Sequence, residues 1–301
     1  MIAKTAVSGL ISLVVGASLI GFFFVPAFRG DIAVTSGFYI GPLYLHSYGL
    51  LAAVAILACF VVAKRLSPIL GFTIAEIENL LPWLLIFGFI GARLYFIFFS
   101  WDYFRENSSE IIKIWHGGLS IYGGIIGAAL GLFIYAKKNS LPAGKLFDLV
   151  AATLPLGQAL GRFGNFFNEE AFGQPTNLAW KLYISPAHRP AQLLTERYYH
   201  PTFLYEALWD MLVFVILWKL FKVMTPTSPP PHEGEEGTRS RSGFLFGIYL
   251  ILYSMGRFFI EALRLDSFYW HGLRIDQITA LVMISIGLSI VIQAREKMSD
   301  A

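Results

Sequence analysis

Residues 161–173 read GRFGNFFNEEAFG, and the stretch just before them, 149–160, reads LVAATLPLGQAL without a single charge. Lipid-like sequence thus runs straight into an arginine, two asparagines and two glutamates. On a helix, positions 162, 165, 166 and 169 share one face, so Arg162, Asn165 and Glu169 are expected to align, with Glu170 beside them. An arginine at bilayer depth costs at least ~2.5 kcal/mol on insertion scales; such a residue usually faces the protein interior, has a partner and marks a site. Gly161 and Gly164 carry no side chain, so another backbone or a ligand can come close. Asn168 and Gly173 complete the polar stretch. A buried ion pair kept for stability alone is the weaker reading, because apolar packing does that job at lower cost.

The surrounding chain is a membrane protein by composition. Its 301 residues are 56% hydrophobic and 14% charged, where a soluble domain is about 25% charged; the mean hydropathy is +0.61. Apolar segments fall at 6–28, 46–63, 80–100, 119–136, 147–167, 203–221, 243–263 and 275–293, each near the ~20 residues that cross a bilayer. The expected fold is an all-α, polytopic transmembrane helix bundle. Residues 1–30 form an extra N-terminal transmembrane helix or a signal-like segment. A retained helix is favoured, since the apolar run is long for a signal core and no small-x-small cleavage site follows. Placing the N-terminus in the cytoplasm puts twelve Lys and Arg in the inside segments against eight outside, which makes both termini cytoplasmic. The longest outside segment, 168–202, carries Trp180, Tyr183, Tyr198 and Tyr199 and is expected to form a small extracytoplasmic lobe. Residues 225–242, TPTSPPPHEGEEGTRSRS, cannot bury enough apolar surface to fold and read as a flexible cytoplasmic loop. Glycines 123, 127 and 131 recur every four residues, as on a smooth helix face made for close packing.

Several function classes drop out. A formal charge of +3, spread along the chain, does not suit nucleic acid. The lone Cys59 allows neither an intrachain disulfide nor a cysteine metal site. The histidines are scattered singly rather than at ligand spacing, so no metal is expected, and no cofactor either. GGLS at 117–120 is not the turn of an intramembrane serine protease, because Ile121 stands where a glycine is needed.

Other polar clusters sit at span ends. In YSMGRFFIEALR, Tyr253, Arg257, Glu261 and Arg264 line one face of the seventh span, with Arg257 and Glu261 spaced as an intrahelical pair. His200, Tyr205 and Glu206 open the sixth span, His46 and Tyr48 the second, and His116, Ser120 and Tyr122 the fourth. Arg93 lies at the end of the third. Arginines of different helices at outer-leaflet depth suit an anionic lipid headgroup, since the guanidinium fork grips phosphate oxygens two at a time.

GRFGNFFNEEAFG closely resembles the signature G-R-x-G-N-F-x-N-x-E of the bacterial prolipoprotein diacylglyceryl transferase family. LHSYGL at 45–50, GARL at 91–94, HPTFLYE at 200–206 and GRFFIEALR at 256–264 resemble further blocks in the same order, and the likeness covers roughly residues 40–295. It implies seven membrane helices with a periplasmic lobe, to which segment 6–28 adds one. It also implies transfer of the diacylglyceryl group of phosphatidylglycerol to the lipobox cysteine of a preprolipoprotein signal peptide. A thioether forms and glycerol 1-phosphate leaves. Arg162, Asn165, Glu170, Gly173, Tyr48, Arg257, Tyr253, Glu261 and Arg264 take the family's positions. Where studied members carry S-F-H-G-G this chain reads Ser120, Ile121, Tyr122, Gly123, Gly124, so the family's proposed histidine base is Tyr122 here.

The expected chemistry places the phosphate between Arg162 and Arg257, helped by Arg93 and Arg264 and oriented by Asn165 and Tyr48. Glu170, Tyr122 and His200 are candidate bases. Cys59, deep in a span, is not the substrate thiol. The alternatives are an anionic-lipid transporter or flippase, or a non-catalytic lipid-binding relative.

Overall fold

The computed structural model describes residues 20–224 and 242–299, together with Ser18. Segment 6–28, apart from Ser18 and 20–28, and the loop expected at 225–242, apart from Ser242, therefore lie outside the described residues.

Seven long helices are present among the described residues: α1 (Ser47–Leu66), α2 (Ile74–Phe99), α3 (Ile121–Lys138), α4 (Ala143–Phe167), α5 (Thr202–Met224), α6 (Phe244–Glu261) and α7 (Ile275–Ser299). They coincide with the second to eighth expected spans. Five of them, α1, α2, α3, α6 and α7, are long and apolar enough to cross a membrane by length and composition. The other two, α4 and α5, are 25 and 23 residues long. They are the helices that carry Asp148, Arg162, Glu206 and Asp210, whose charge lowers the apolar character of any window drawn over them. Among the described residues, strands form three two-stranded antiparallel pairs: β1 (Gly37–Ile40) with β2 (Leu43–His46), β3 (Leu182–Tyr183) with β4 (Tyr198–Tyr199), and β5 (Tyr269–Trp270) with β6 (Leu273–Arg274).

The chain forms two compact units. Among the described residues, the first lies within 1–57, 155–213 and 251–285, the second within 58–154, 214–250 and 286–301.

In the second unit, Thr73 starts α2 with a reciprocal cap. Its hydroxyl accepts from the Glu76 N–H at 3.2 Å, and its own N–H donates to the Glu76 carboxylate at 2.7 Å; this satisfies two donors that helix geometry leaves unpaired. Helices α2 and α3 pack along glycines on both sides. A Cβ placed on Gly91 would meet the Cα of Gly127 at 2.9 Å and also the carbonyl of Gly123. Backbone thus lies on backbone, as the spacing of 123, 127 and 131 suggests. The Tyr135 hydroxyl ties the far end, donating to the Glu76 carbonyl at 2.8 Å.

In the first unit, the end of α4 is gripped by aromatic rings. Phe166 and Phe203 are buried together with Ala27, Phe172, Leu182, Ile184 and Tyr199. Phe23, Phe24 and Phe28 pack on this core, with Phe24 5.8 Å from the Phe163 ring and Phe28 6.1 Å from Phe203. The end of the first apolar segment thus covers the lobe's core. The lobe itself is closed by the β3–β4 pair and by the Tyr199 hydroxyl, which donates to the Leu193 carbonyl at 3.0 Å.

The glycine seam makes a paired prediction. Gly91→Ala drives a methyl into main chain and should cost ~1–3 kcal/mol by overpacking. Gly124→Ala finds its nearest neighbours at 3.7 and 3.8 Å, an ordinary contact, and should be nearly neutral. Thermal unfolding of the two detergent-solubilised variants checks the contrast.

Candidate active site

The polar stretch of α4 meets the polar faces of α5 and α6 within the first unit. Glu206 on α5 is the centre, with a side chain only 4% exposed. Its Oε1 accepts from Arg257 Nη1 at 3.0 Å and from Arg264 Nη1 at 2.8 Å. Its Oε2 lies 2.6 Å from Arg162 Nη2, an ion pair whose angles fall short of a hydrogen bond. One carboxylate therefore serves three guanidinium groups.

Those three groups differ in how fully they are held. Arg264, 9% exposed, also forks onto Asp266 with bonds of 2.9 and 2.5 Å. Arg257, 17% exposed, reaches Glu261 Oε2 at 2.8 Å, the expected i,i+4 pair, and Asp276 Oδ2 at 2.7 Å. Arg162 is 22% exposed and, among the described residues, makes the Glu206 ion pair without an aligned hydrogen bond. Tyr253 lies within electrostatic reach of Arg162. Glu261 is locked from behind: Ser267 Oγ donates to its Oε1 at 2.5 Å, and Arg274 Nη1 donates to the Ser267 hydroxyl at 2.8 Å and to the Glu261 carbonyl.

The turn after α4 sorts the two glutamates. The helix ends at Phe167, and Glu169 and Ala171 take φ of 48° and 55°, a left-handed conformation that costs a non-glycine residue about 1–2 kcal/mol. Glu169 is thereby turned away from the expected face beside Arg162. It accepts instead from the Ser185 N–H at 3.0 Å and pairs with His188 Nδ1 at 2.6 Å. Glu170 keeps the signature's company, its Oε1 accepting from Asn165 at 2.9 Å and Asn168 at 3.2 Å. Gly173 bridges to Arg264 in antiparallel fashion, and a Cβ there would meet the Leu263 carbonyl at 2.8 Å. A side chain at this position would separate the turn from the arginine segment. A cavity of about 710 Å³ is lined by Ser36, His46, Asn168, Glu170, His188 and Asp266, among others. Of the groups paired with the cluster's arginines, Asp266, held by Arg264, lines it.

Matching against known families covers residues 36–293 with the model described as prolipoprotein diacylglyceryl transferase. The chain belongs to the prolipoprotein diacylglyceryl transferase family. A relative from Fervidobacterium nodosum is 42% identical over 286 residues, 94% of this chain and 93% of its own length. One from Nostoc sp. is 44% identical, covering 83% of this chain and 85% of its own. One from Thermotoga maritima is 39% identical, covering 87% and 85%. All three carry the name phosphatidylglycerol–prolipoprotein diacylglyceryl transferase.

Of the residues expected at the site of this family member, the first unit brings together Arg162, Glu206, Arg257, Glu261 and Arg264. Tyr48 lies across Gly164, where a Cβ would meet its ring at 2.5 Å, while a Cβ on Gly161 would meet open space. His200 Nδ1 is 3.2 Å from the Tyr205 hydroxyl, which accepts from Trp180 Nε1 at 2.8 Å.

In the second unit, Arg93 is taken up by main chain. It donates to the carbonyls of Ile111 at 2.9 Å, Gly117 at 2.7 Å and Gly118 at 2.9 Å, and to that of Glu110. Its guanidinium lies 5.2 Å from the centre of the Phe104 ring. This arginine closes the 110–118 loop, a task different from the expected headgroup contact. In the same loop, hydrogen bonds from Lys113 and then His116 hold the Glu110 carboxyl below its usual range. The Tyr122 ring lies 6.2 Å from that of Tyr95.

Four charged members of the cluster escape sequence reasoning: Asp210, Asp266, Arg274 and Asp276. Asp210 offered the clearest signal, standing one helical turn after Glu206 inside an apolar run. The others sit in the α6–α7 connection and at the start of α7, where charge passes for ordinary loop polarity.

Removing the shared carboxylate tests the centre. Glu206→Ala leaves three guanidinium groups facing one another and should cost ~3–5 kcal/mol, the usual penalty for an orphaned buried charge partner. Thermal unfolding reads this, and Glu206→Gln should lose less.

Proposed function

We infer that this chain transfers the diacylglyceryl group of phosphatidylglycerol to a cysteine thiol of prolipoproteins, the first step in their maturation. One observation carries the reading furthest. In a chain matching the transferase family over residues 36–293, the signature's Arg162 is the most exposed and least bonded of the three guanidinium groups around Glu206.

The chemistry follows from charge. The thiolate, not the thiol, is the nucleophile. Its sulfur attacks the diacylglycerol carbon that bears the phosphate oxygen. An S–C bond forms, the C–O bond breaks, and the electron pair leaves on that oxygen with glycerol 1-phosphate. Arg162 receives the phosphodiester first and Arg257 backs it, both already aimed at an anionic partner. Preorganised donors of this kind stabilise developing charge strongly where water is scarce. Arg264 keeps Glu206 in register, and Asn165 and Asn168 orient Glu170. Tyr48 and Tyr253 flank the headgroup. Glu170, Tyr122 and His200 remain the candidates for taking the thiol proton. The client in this reading is a signal peptide carrying a lipobox cysteine, and the excess of Lys and Arg in the segments read as inside supports a reaction at the outer leaflet of the bacterial inner membrane.

Purified protein, phosphatidylglycerol and a lipobox peptide should give a mass gain of one diacylglyceryl unit, whereas a lipid transporter or a non-catalytic lipid binder leaves the peptide unchanged. Arg162→Ala should slow this transfer by ~10²–10³-fold, the usual effect of losing one preorganised donor. An Arg162→Ala protein of undiminished rate sinks the phosphate clamp. Of Glu170→Gln and Tyr122→Phe, the variant that removes the base should lose rate near neutral pH and regain it in alkali, where the thiol ionises unaided.

A further inference from the structure

The site's acidic groups outnumber its basic ones before any lipid binds. Arg162, Arg257, Arg264 and Arg274 supply four positive groups, while Glu206, Asp210, Glu261, Asp266 and Asp276 supply five negative ones. A phosphodiester brings one more negative charge into the same space. Neutralising one carboxylate removes the added repulsion.

Asp210 is the group built for that neutralisation. It is 2% exposed, and its Oδ2 is buried without a hydrogen-bond partner among the described residues. Glu206, Glu261, Asp266 and Asp276 each lie within 2.9 Å of an arginine nitrogen; for Asp210 no such pair is formed among the described residues. The charged and titratable groups facing it are Arg162 from α4, Glu206 from its own helix, and Arg257 and Tyr253 from α6. Like charges spaced i,i+4 on one helix repel, so the Glu206 carboxylate works against a second negative charge at Asp210. That balance rests on Arg162, and Arg162 is the group the phosphate engages. Once the phosphate draws its field, a buried carboxylate beside a second one binds a proton.

We propose that Asp210 takes up a proton as the anionic phosphodiester joins the arginine cluster. The inference rests on phosphatidylglycerol being the lipid bound. Asp210 acts through Arg162 and Glu206, as a positioning residue that keeps the site's charge constant. The proton remains on Asp210 while the phosphate stays and returns to water when glycerol 1-phosphate leaves. The sign follows from linkage. A proton bound with the lipid makes affinity constant at low pH, where Asp210 is already neutral. Above that point, affinity falls by up to about tenfold per pH unit, the slope that one proton imposes.

Isothermal titration calorimetry tests this on the full-length protein in a neutral detergent, with short-chain phosphatidylglycerol as the probe. The titration is run in pairs of buffers with different ionisation heats. The expected result is proton uptake that rises towards one per lipid as the pH is raised, absent with zwitterionic phosphatidylcholine. Asp210→Asn, neutral at every pH, should bind the lipid without uptake and with an affinity flat across the range. Wild-type heats that do not depend on buffer overturn the proposal, and that measurement needs no variant. Proton uptake persisting in Asp210→Asn also overturns it. Peptide modification followed on the same preparation keeps the two readings apart. Modification with buffer-independent heats removes the proton and leaves the transferase; proton uptake with an unmodified peptide does the reverse.

Discussion

A single carboxylate, Glu206, organises the polar interior of the first unit. Three arginines from α4, α6 and the segment after α6 would repel one another at this range if left alone. Placing one buried anion among them turns that repulsion into a geometric constraint, because each guanidinium must approach a defined oxygen. Burying charge this way is poor economy for stability, since apolar side chains would pack the same helices at lower cost. Its value lies in the shape of the field. The three guanidinium groups are fixed around one carboxylate, with Arg162 held more loosely than its neighbours.

The turn after α4 uses backbone strain for a similar purpose. Two successive glutamates would normally present carboxylates to neighbouring sides of a helix. Ending the helix at Phe167 and forcing Glu169 into left-handed geometry sends them to different tasks. Glu169 anchors the lobe through Ser185 and His188, while Glu170 stays with the asparagines of the signature. The phenylalanines at 163, 166 and 203, covered by Phe23, Phe24 and Phe28, hold the end of α4 while this occurs.

Much of this was legible beforehand, for specific reasons. Charge inside an apolar run is costly, so Arg162 and Arg257 stood out, and the stripe in α6 followed from helical spacing alone. The glycines at 123, 127 and 131 announced a close contact because a missing side chain has few other uses at that period. What stayed hidden depended on tertiary partners. Nothing local says that Arg93 will be absorbed by four carbonyls, or that Arg274 and Asp276 fold back onto Glu261 and Arg257. Glu169 was misplaced because a helical wheel presumes the helix continues. Asp210 carried the same signal as Glu206, but it lies outside the blocks that resemble the family.

The seam between α2 and α3 has a mechanical side. Where carbonyl rests on Cα, there are no rotamers to exchange and no soft side chains to compress. Neither helix can slide or roll without first lifting away from its partner. The pair therefore behaves as one stiff beam, and any give that a lipid-handling protein needs must come from parts joined by side chains rather than by main chain.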